Sequence, residues 1–403
     1  MSSSQPEERR SPQGRSPAHR LAQGLDLCQP LLAACAPQLR LYPKLDASAS
    51  AVFDVDAVAV ANRLVTAVAQ RYALPAPVFV WPPPEDPNAL EAALCAYCEL
   101  GVEDWRALVS DPHALAEVAA LPDFGQEERR LVEVDGHPPV ITYSQGPAGP
   151  AGKDAIVIVP PCGVPARLFR PWFAALGARH RVVTYENPYL FGDWRQAPEP
   201  RLEVAAEGEL VAGVLRGLGI ERAHLVAICG GAPIALATSM LAPERVASVA
   251  MCHGDLFFGP QTQRTPFQLQ FQGLLREVTS GAVRARSLYE MFLDPALHYS
   301  VPTPLAPFVL VPYADLALFR RYAGINYALM AYDSTPAATA LACPVLLVTS
   351  RSDRMTHPAA SYQAQSLIQG SRLWERDAGN HHDALLPNAD LFAALAQFAL
   401  EAE

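Results

Sequence analysis

From residue 155 onward the chain alternates continuous apolar runs with helical stretches, and no other feature constrains its folding so tightly. AIVIVP, HLVAIC, VASVAMCHGD and CPVLLVTSRSD each carry four or more consecutive apolar residues, and HRVVTYENP carries Val182, Val183 and Tyr185 around one threonine, none with the polar alternation of a half-exposed strand. Such runs read as strands covered on both faces. RPWFAALGAR, LEVAAEGELVAGVLRGLG and GAPIALATSMLAPER separate them with helical periodicity. Strand and helix in alternation predict an α/β fold with a mostly parallel, doubly wound sheet. SRLWERDAGNHHD supplies one more strand, and NADLFAALAQFALEAE a terminal helix.

The alternation fails between residues 256 and 340, where the chain is helical, aromatic and dotted with arginines. An insertion there follows one sheet strand and precedes the next. It is expected to cover the edge of the sheet where open α/β folds bind ligands, and so to form a lid. Upstream, RRLVEVDG and PPVITYSQG read as a hairpin, joined to the sheet by the linker GPAGPAGKD. Residues 21–128 form a helical region broken by prolines. Residues 1–20 are polar and proline-rich, and read as a disordered tail with neither a secretory signal nor an anchor. The expected organisation is thus a tail (1–20), a helical N-terminal region (21–128), an α/β core (129–255 and 341–403) and a lid (256–340).

Composition narrows the function. With 403 residues, half of them hydrophobic, the chain can bury a full core. A net charge of −10 argues against nucleic acid as a partner, since phosphate binding needs a basic surface. No run of eighteen apolar residues occurs, so no membrane association is expected. Eight cysteines without a secretory signal point to free thiols in the cytoplasm. Cys95 and Cys98 form a CxxC in a helical segment; without a second pair at zinc-site spacing they read as core thiols, and no metal is expected. The 38 prolines and the lack of an internal period exclude coiled coils and repeats.

The sharpest motif is Ala227-Ile228-Cys229-Gly230-Gly231, between a buried strand and a helix. A nucleophile on a tight strand-to-helix turn needs small residues two before and two after it, so that strand and helix can approach. The Gly230 N–H, at a helix N-terminus, then points toward a developing oxyanion. Pro233 is tolerated in the first helical turn, which needs no N–H donor. The alternative for Cys229 is a buried structural thiol.

Partners for such a nucleophile follow in chain order. Asp353 lies just past the LLVTS strand and His381 after the last one, so nucleophile, acid and histidine succeed one another as in Ser/Cys–Asp–His triads. Asp255, in CHGD, is a rival for the acid. His382 is a rival for the base, with His381 preferred because it directly follows the AGN turn. The second oxyanion donor is expected in the PPCGVP loop: Pro160 and Pro161 have no N–H, leaving Cys162 first and Gly163 next.

On the AICGG elbow, the PPCGVP loop, SRSD and GNHH, the chain from about residue 130 to the end resembles the α/β-hydrolase superfamily. It departs from most members in having cysteine for serine. Cysteine elbows occur in dienelactone hydrolases, polyhydroxyalkanoate synthases and thioesterase-like aminoacyltransferases of nonribosomal peptide biosynthesis. The long helical extension makes the chain similar to the last group, the syringomycin and coronamic-acid type. That resemblance implies an acyltransferase that moves an aminoacyl or acyl group between phosphopantetheine thiols of carrier proteins in natural-product biosynthesis.

Chemistry points the same way. A cysteine exchanges one thioester for another at nearly equal energy, and a neighbouring histidine and helix N-terminus favour the thiolate. Acyl or peptidyl carrier proteins, or coenzyme A, are the expected donors and acceptors, with no bound cofactor. Arg264, Arg276, Arg284, Arg286, Arg320 and Arg321 of the lid could meet a phosphate or an acidic carrier surface, or could simply be solvated. The alternatives are a thioesterase or lactone hydrolase using the same triad, and a non-catalytic scaffold with an inert Cys229.

Overall fold

A computed structural model describes residues 15–35, 38–45, 52–147, 155–298, 300–377 and 379–402. Most of the expected tail and all but the first two residues of the GPAGPAGKD linker lie outside the described residues. The chain divides into two compact units, Met1–Phe124 and Gly125–Glu403.

In the first unit, helices Pro17–Leu27, Gln29–Ala34, Val55–Arg71, Ala89–Cys98, Val102–Ser110 and Ala114–Ala120 surround a two-residue parallel pair, Arg40–Leu41 with Val78–Phe79. The first helix corrects the sequence reading, because it begins inside the segment expected to be a disordered tail. Ser16 caps it by accepting from the His19 N–H, Pro17 occupies a first-turn position that needs no donor, and Leu21 and Leu25 are fully buried. Cys95 and Cys98 are both buried, with Cys98 packed against Gly24 of that helix.

The second unit is built on eight strands: β1 (Glu128–Val132), β2 (Val140–Gln145), β3 (Ala155–Val159), β4 (Arg181–Glu186), β5 (Ala223–Ile228), β6 (Val246–Cys252), β7 (Val345–Ser350) and β8 (Arg372–Arg376). Their spatial order is β1-β2-β4-β3-β5-β6-β7-β8. β1 and β2 run antiparallel as a hairpin, β2 is antiparallel to β4, and every pair from β4 to β8 is parallel. Every residue of β3, β5, β6 and β7 is buried, which is why these strands are continuous apolar runs.

The helices that position the site are α1 (Arg170–Leu176), α2 (Val204–Gly217), α3 (Gly231–Leu241) and α8 (Ala389–Glu401), with α7 (Ala359–Leu367) between β7 and β8. Between β6 and β7 the chain leaves the sheet for α4 (Pro266–Ser280), α5 (Ala282–Phe292) and α6 (Leu316–Ala331), with short helices at Ala306–Val309 and Thr335–Ala340. Thr265 opens α4 with a reciprocal capping box to Gln268. Among the described residues no helix is long and apolar enough to cross a membrane.

Candidate active site

The register between β5 and β6 builds the centre. Ile228 pairs with Cys252, so Cys229 and His253 leave adjacent strands side by side. Both then take the left-handed backbone conformation, at φ of 50° and 51°. Neither is glycine, and each such residue costs on the order of 1 kcal/mol, tolerated where the surroundings fix it. They do so here: the Cys229 N–H donates to the Cys252 carbonyl (3.0 Å), and the His253 N–H to the Val348 carbonyl (2.8 Å). Gly231 is required two residues after Cys229, because a Cβ there would lie 2.3 Å from the Val159 carbonyl oxygen. Ala227, two before, is fully buried between strands.

Opposite Cys229, His381 opens a short 3₁₀ turn after β8, capped by the Asn380 side chain. Its Nδ1 is 3.0 Å from Asp353 Oδ2, and its ring faces the Cys229 thiol closely enough for their charges to couple. Burial by itself would lower the His381 pKa; charge on Cys229 and the bond to Asp353 outweigh it and push the value up to about 10. Asp353 lies three residues past the end of β7 in a turn that satisfies both its oxygens. Oδ1 accepts from the Met355 and Thr356 N–H groups (2.8 and 3.0 Å), and Oδ2 from the Thr356 hydroxyl (2.8 Å). Burial opposes its charge, yet hydrogen bonds from His253 and His381 hold its carboxyl well below the usual range.

The structure therefore brings Cys229, His381 and Asp353 together and leaves the two rivals aside. The Asp255 carboxylate takes the Gln268 side-chain amide at 2.6 Å and reaches neither histidine; burial raises its pKa. The His382 ring makes no hydrogen bond among the described residues, and burial followed by the nearby His381 lowers its pKa.

The two expected oxyanion donors also meet. A Cβ on Gly230 would stand 4.0 Å from the Cys162 backbone nitrogen, and both residues line one cavity. Among the described residues neither N–H is committed to another acceptor. Gly163 has φ of 78°, and a Cβ there would meet Pro312 at 2.6 Å and the Tyr322 ring at 2.9 Å, so the loop is pressed against the helical insertion. Burial pushes the Cys162 thiol well above its ordinary range, with the Glu207 carboxyl adding to the effect.

The cavity above Cys229 has a volume of about 870 Å³. Its far wall comes from the insertion: Phe267 and Phe271 stack at 5.5 Å, and Phe292 stacks on Tyr313 at 4.7 Å. Asn326 of α6 donates to the Tyr322 hydroxyl (3.1 Å) and stands over Gly230. His253, Asp353 and His381 are ligand types that could hold a metal. Their nitrogen-to-oxygen separations of 2.7 and 3.0 Å are hydrogen-bond lengths, and one oxygen takes both rings.

Known proteins share this architecture. No family model matches the chain. A RutD protein of Klebsiella pneumoniae subsp. pneumoniae, named for carbamate hydrolysis, is 28% identical over 235 residues, spanning 57% of this chain and 84% of its own. A hydrolase from Pseudomonas aeruginosa PA01 superposes with a TM-score of 0.52 at 19% identity, over 68% of this chain and 99% of that one. The enol-lactonase of Burkholderia xenovorans LB400 gives 0.50 at 20% identity, over 68% and 99%. The chain has the α/β-hydrolase fold.

Within that fold the sequence reading missed His253 and Thr356. His253 stands two residues before Asp255 in the CHGD segment, and a histidine immediately after a fully buried strand, at the ligand edge of the sheet, was the available signal. Thr356 had no signal beyond its nearness to Asp353. Asn326 was hidden in a helix whose placement over the hydrolase-fold elbow only the insertion's packing defines.

Proposed function

We propose that this protein cleaves activated acyl bonds (thioesters, esters or lactones) through an S-acyl-Cys229 intermediate. The observation that carries the reading is Cys229 on a strained turn, facing His381, which is hydrogen bonded to Asp353. The Cys229 thiolate attacks the acyl carbonyl, and the oxyanion forms against the Gly230 and Cys162 N–H groups. His381, as imidazolium, protonates the leaving group as the tetrahedral intermediate collapses. It then takes a proton from the incoming water, and the acid leaves. The relative named for carbamate hydrolysis supports water as the acceptor.

A second reading rests on the nucleophile itself. Cysteine conserves the energy of a thioester, so the same intermediate suits transfer to a second thiol, such as a phosphopantetheine arm. The aromatic cavity, walled on one side by the helical insertion, would shield an acyl group from part of the surrounding water.

Intact-mass analysis after mixing with an acyl-pantetheine thioester tests both. An acyl adduct on the parent protein, absent from Cys229→Ala, is expected. Adduct that decays at one rate with or without added pantetheine supports hydrolysis, and decay that needs the thiol supports transfer. Adduct that persists in Cys229→Ala would overturn the proposal.

A further inference from the structure

Asp353 holds two histidines, and the reaction just described uses one. His253 Nδ1 lies 2.7 Å from Asp353 Oδ2, shorter than the 3.0 Å from His381 Nδ1 to the same atom. Both rings are buried and stand nearly perpendicular, 5.6 Å apart between centroids. The contact is built rather than incidental. His253 is held at a positive φ, its N–H is anchored on Val348 of β7, and its carbonyl lies 3.2 Å from the Thr356 hydroxyl oxygen.

We infer that His253 is a positioning residue that shares the Asp353 carboxylate with His381 and thereby sets the pH range over which the Cys229–His381 pair holds its proton. The inference rests on the role proposed for Cys229 and His381. Each donor on Oδ2 draws charge from the other, so the His253 N–H weakens the hold of Asp353 on the His381 proton. That proton must be released to a leaving group, and an imidazolium gripped too tightly is a poor acid. The other groups facing this pair are Cys229, Thr356, His382 and Asp255, with Arg264 acting on Asp255. A substitution at residue 253 leaves all of them in place.

The test is the pH dependence of Cys229 alkylation by iodoacetamide, read by peptide mapping, in the parent, His253→Phe, His253→Asn and His381→Ala, with thermal melts to check folding. The parent is expected to show two inflections, the upper one as the His381 imidazolium loses its proton. His253→Phe should move the upper inflection up by about one pH unit. His253→Asn should return it, because the asparagine amide reaches the position of Nδ1 and tolerates a positive φ. If the phenylalanine variant does not fold, His253→Ala takes its place against His253→Asn. An upper inflection that stays put or falls, or an asparagine variant that behaves like phenylalanine, would overturn the inference. A parent with a single inflection that His381→Ala does not alter would instead overturn the reading on which it rests.

Discussion

Replacing Asp353 by asparagine tests the core of the reading, and its effect can be worked from the contacts. Oδ2 receives three donors, His253 Nδ1 at 2.7 Å, the Thr356 hydroxyl at 2.8 Å and His381 Nδ1 at 3.0 Å. An amide NH₂ at that place sets donor against donor at both histidine rings, while the Thr356 hydroxyl can turn to accept. The opposite rotamer trades these conflicts for two, against the Met355 and Thr356 N–H groups. Relief comes most readily when His381 changes tautomer, so that Nδ1 accepts and Nε2 carries the proton. That imidazole can no longer take the Cys229 proton. Inverting the tautomer in a Ser–His–Asp triad slows turnover ~10⁴-fold, and a similar loss, ~5 kcal/mol of barrier, is expected in Asp353→Asn. Asp255→Asn disturbs a single side-chain contact, to Gln268, and should cost less than about tenfold. The assay is the rate of acyl-enzyme formation, by rapid quench and intact mass at neutral pH. An Asp353→Asn loss smaller than that of Asp255→Asn would refute the assignment of the acid.

Three further outcomes are expected. In Cys229→Ser the acyl group becomes an oxyester, from which thiol attack is uphill, so transfer to pantetheine should fall more than release to water; the ratio of acyl-pantetheine to free acid measures this. His382→Ala should retain most acyl-enzyme formation, since its ring touches neither Asp353 nor the Cys229 thiol through a hydrogen bond, and a loss matching His381→Ala would reassign the base. Burial, opposed by the Asn187 amide, pushes the Glu207 carboxyl up to about 7. The folded state therefore keeps a proton that the unfolded state loses above its ordinary 4.5, and stability drains as pH rises between the two values. Glu207→Gln should match the parent near pH 4 and exceed it by at most ~3 kcal/mol at pH 8, measured by urea denaturation at both.

What could be read from the sequence follows from burial. Strands β3, β5, β6 and β7 are covered on both faces and admit almost nothing but apolar residues, so composition alone marks them. The elbow was legible because sterics restrict it: Gly231 cannot carry a Cβ beside the Val159 carbonyl. The first helix was obscured because Ser16 and Pro17, good capping residues, sit in a polar segment whose buried leucines begin only at Leu21. Chain order favoured Asp353 over Asp255 but left Asp255 a rival, since both follow buried strands at the same edge of the sheet. The choice is decided by the turns. The chain after β7 folds back so that Met355 and Thr356 aim their N–H groups at Asp353 Oδ1 and leave Oδ2 for the histidines. The chain after β6 instead delivers Asp255 to Gln268, at the start of the insertion. His253 follows from the same geometry. The pairing of Ile228 with Cys252 gives Cys229 a neighbour on the next strand, and β7 alongside supplies the carboxylate that this neighbour shares with His381. A two-histidine carboxylate is thus a property of strand register, and register depends on pairings that no single stretch of sequence contains.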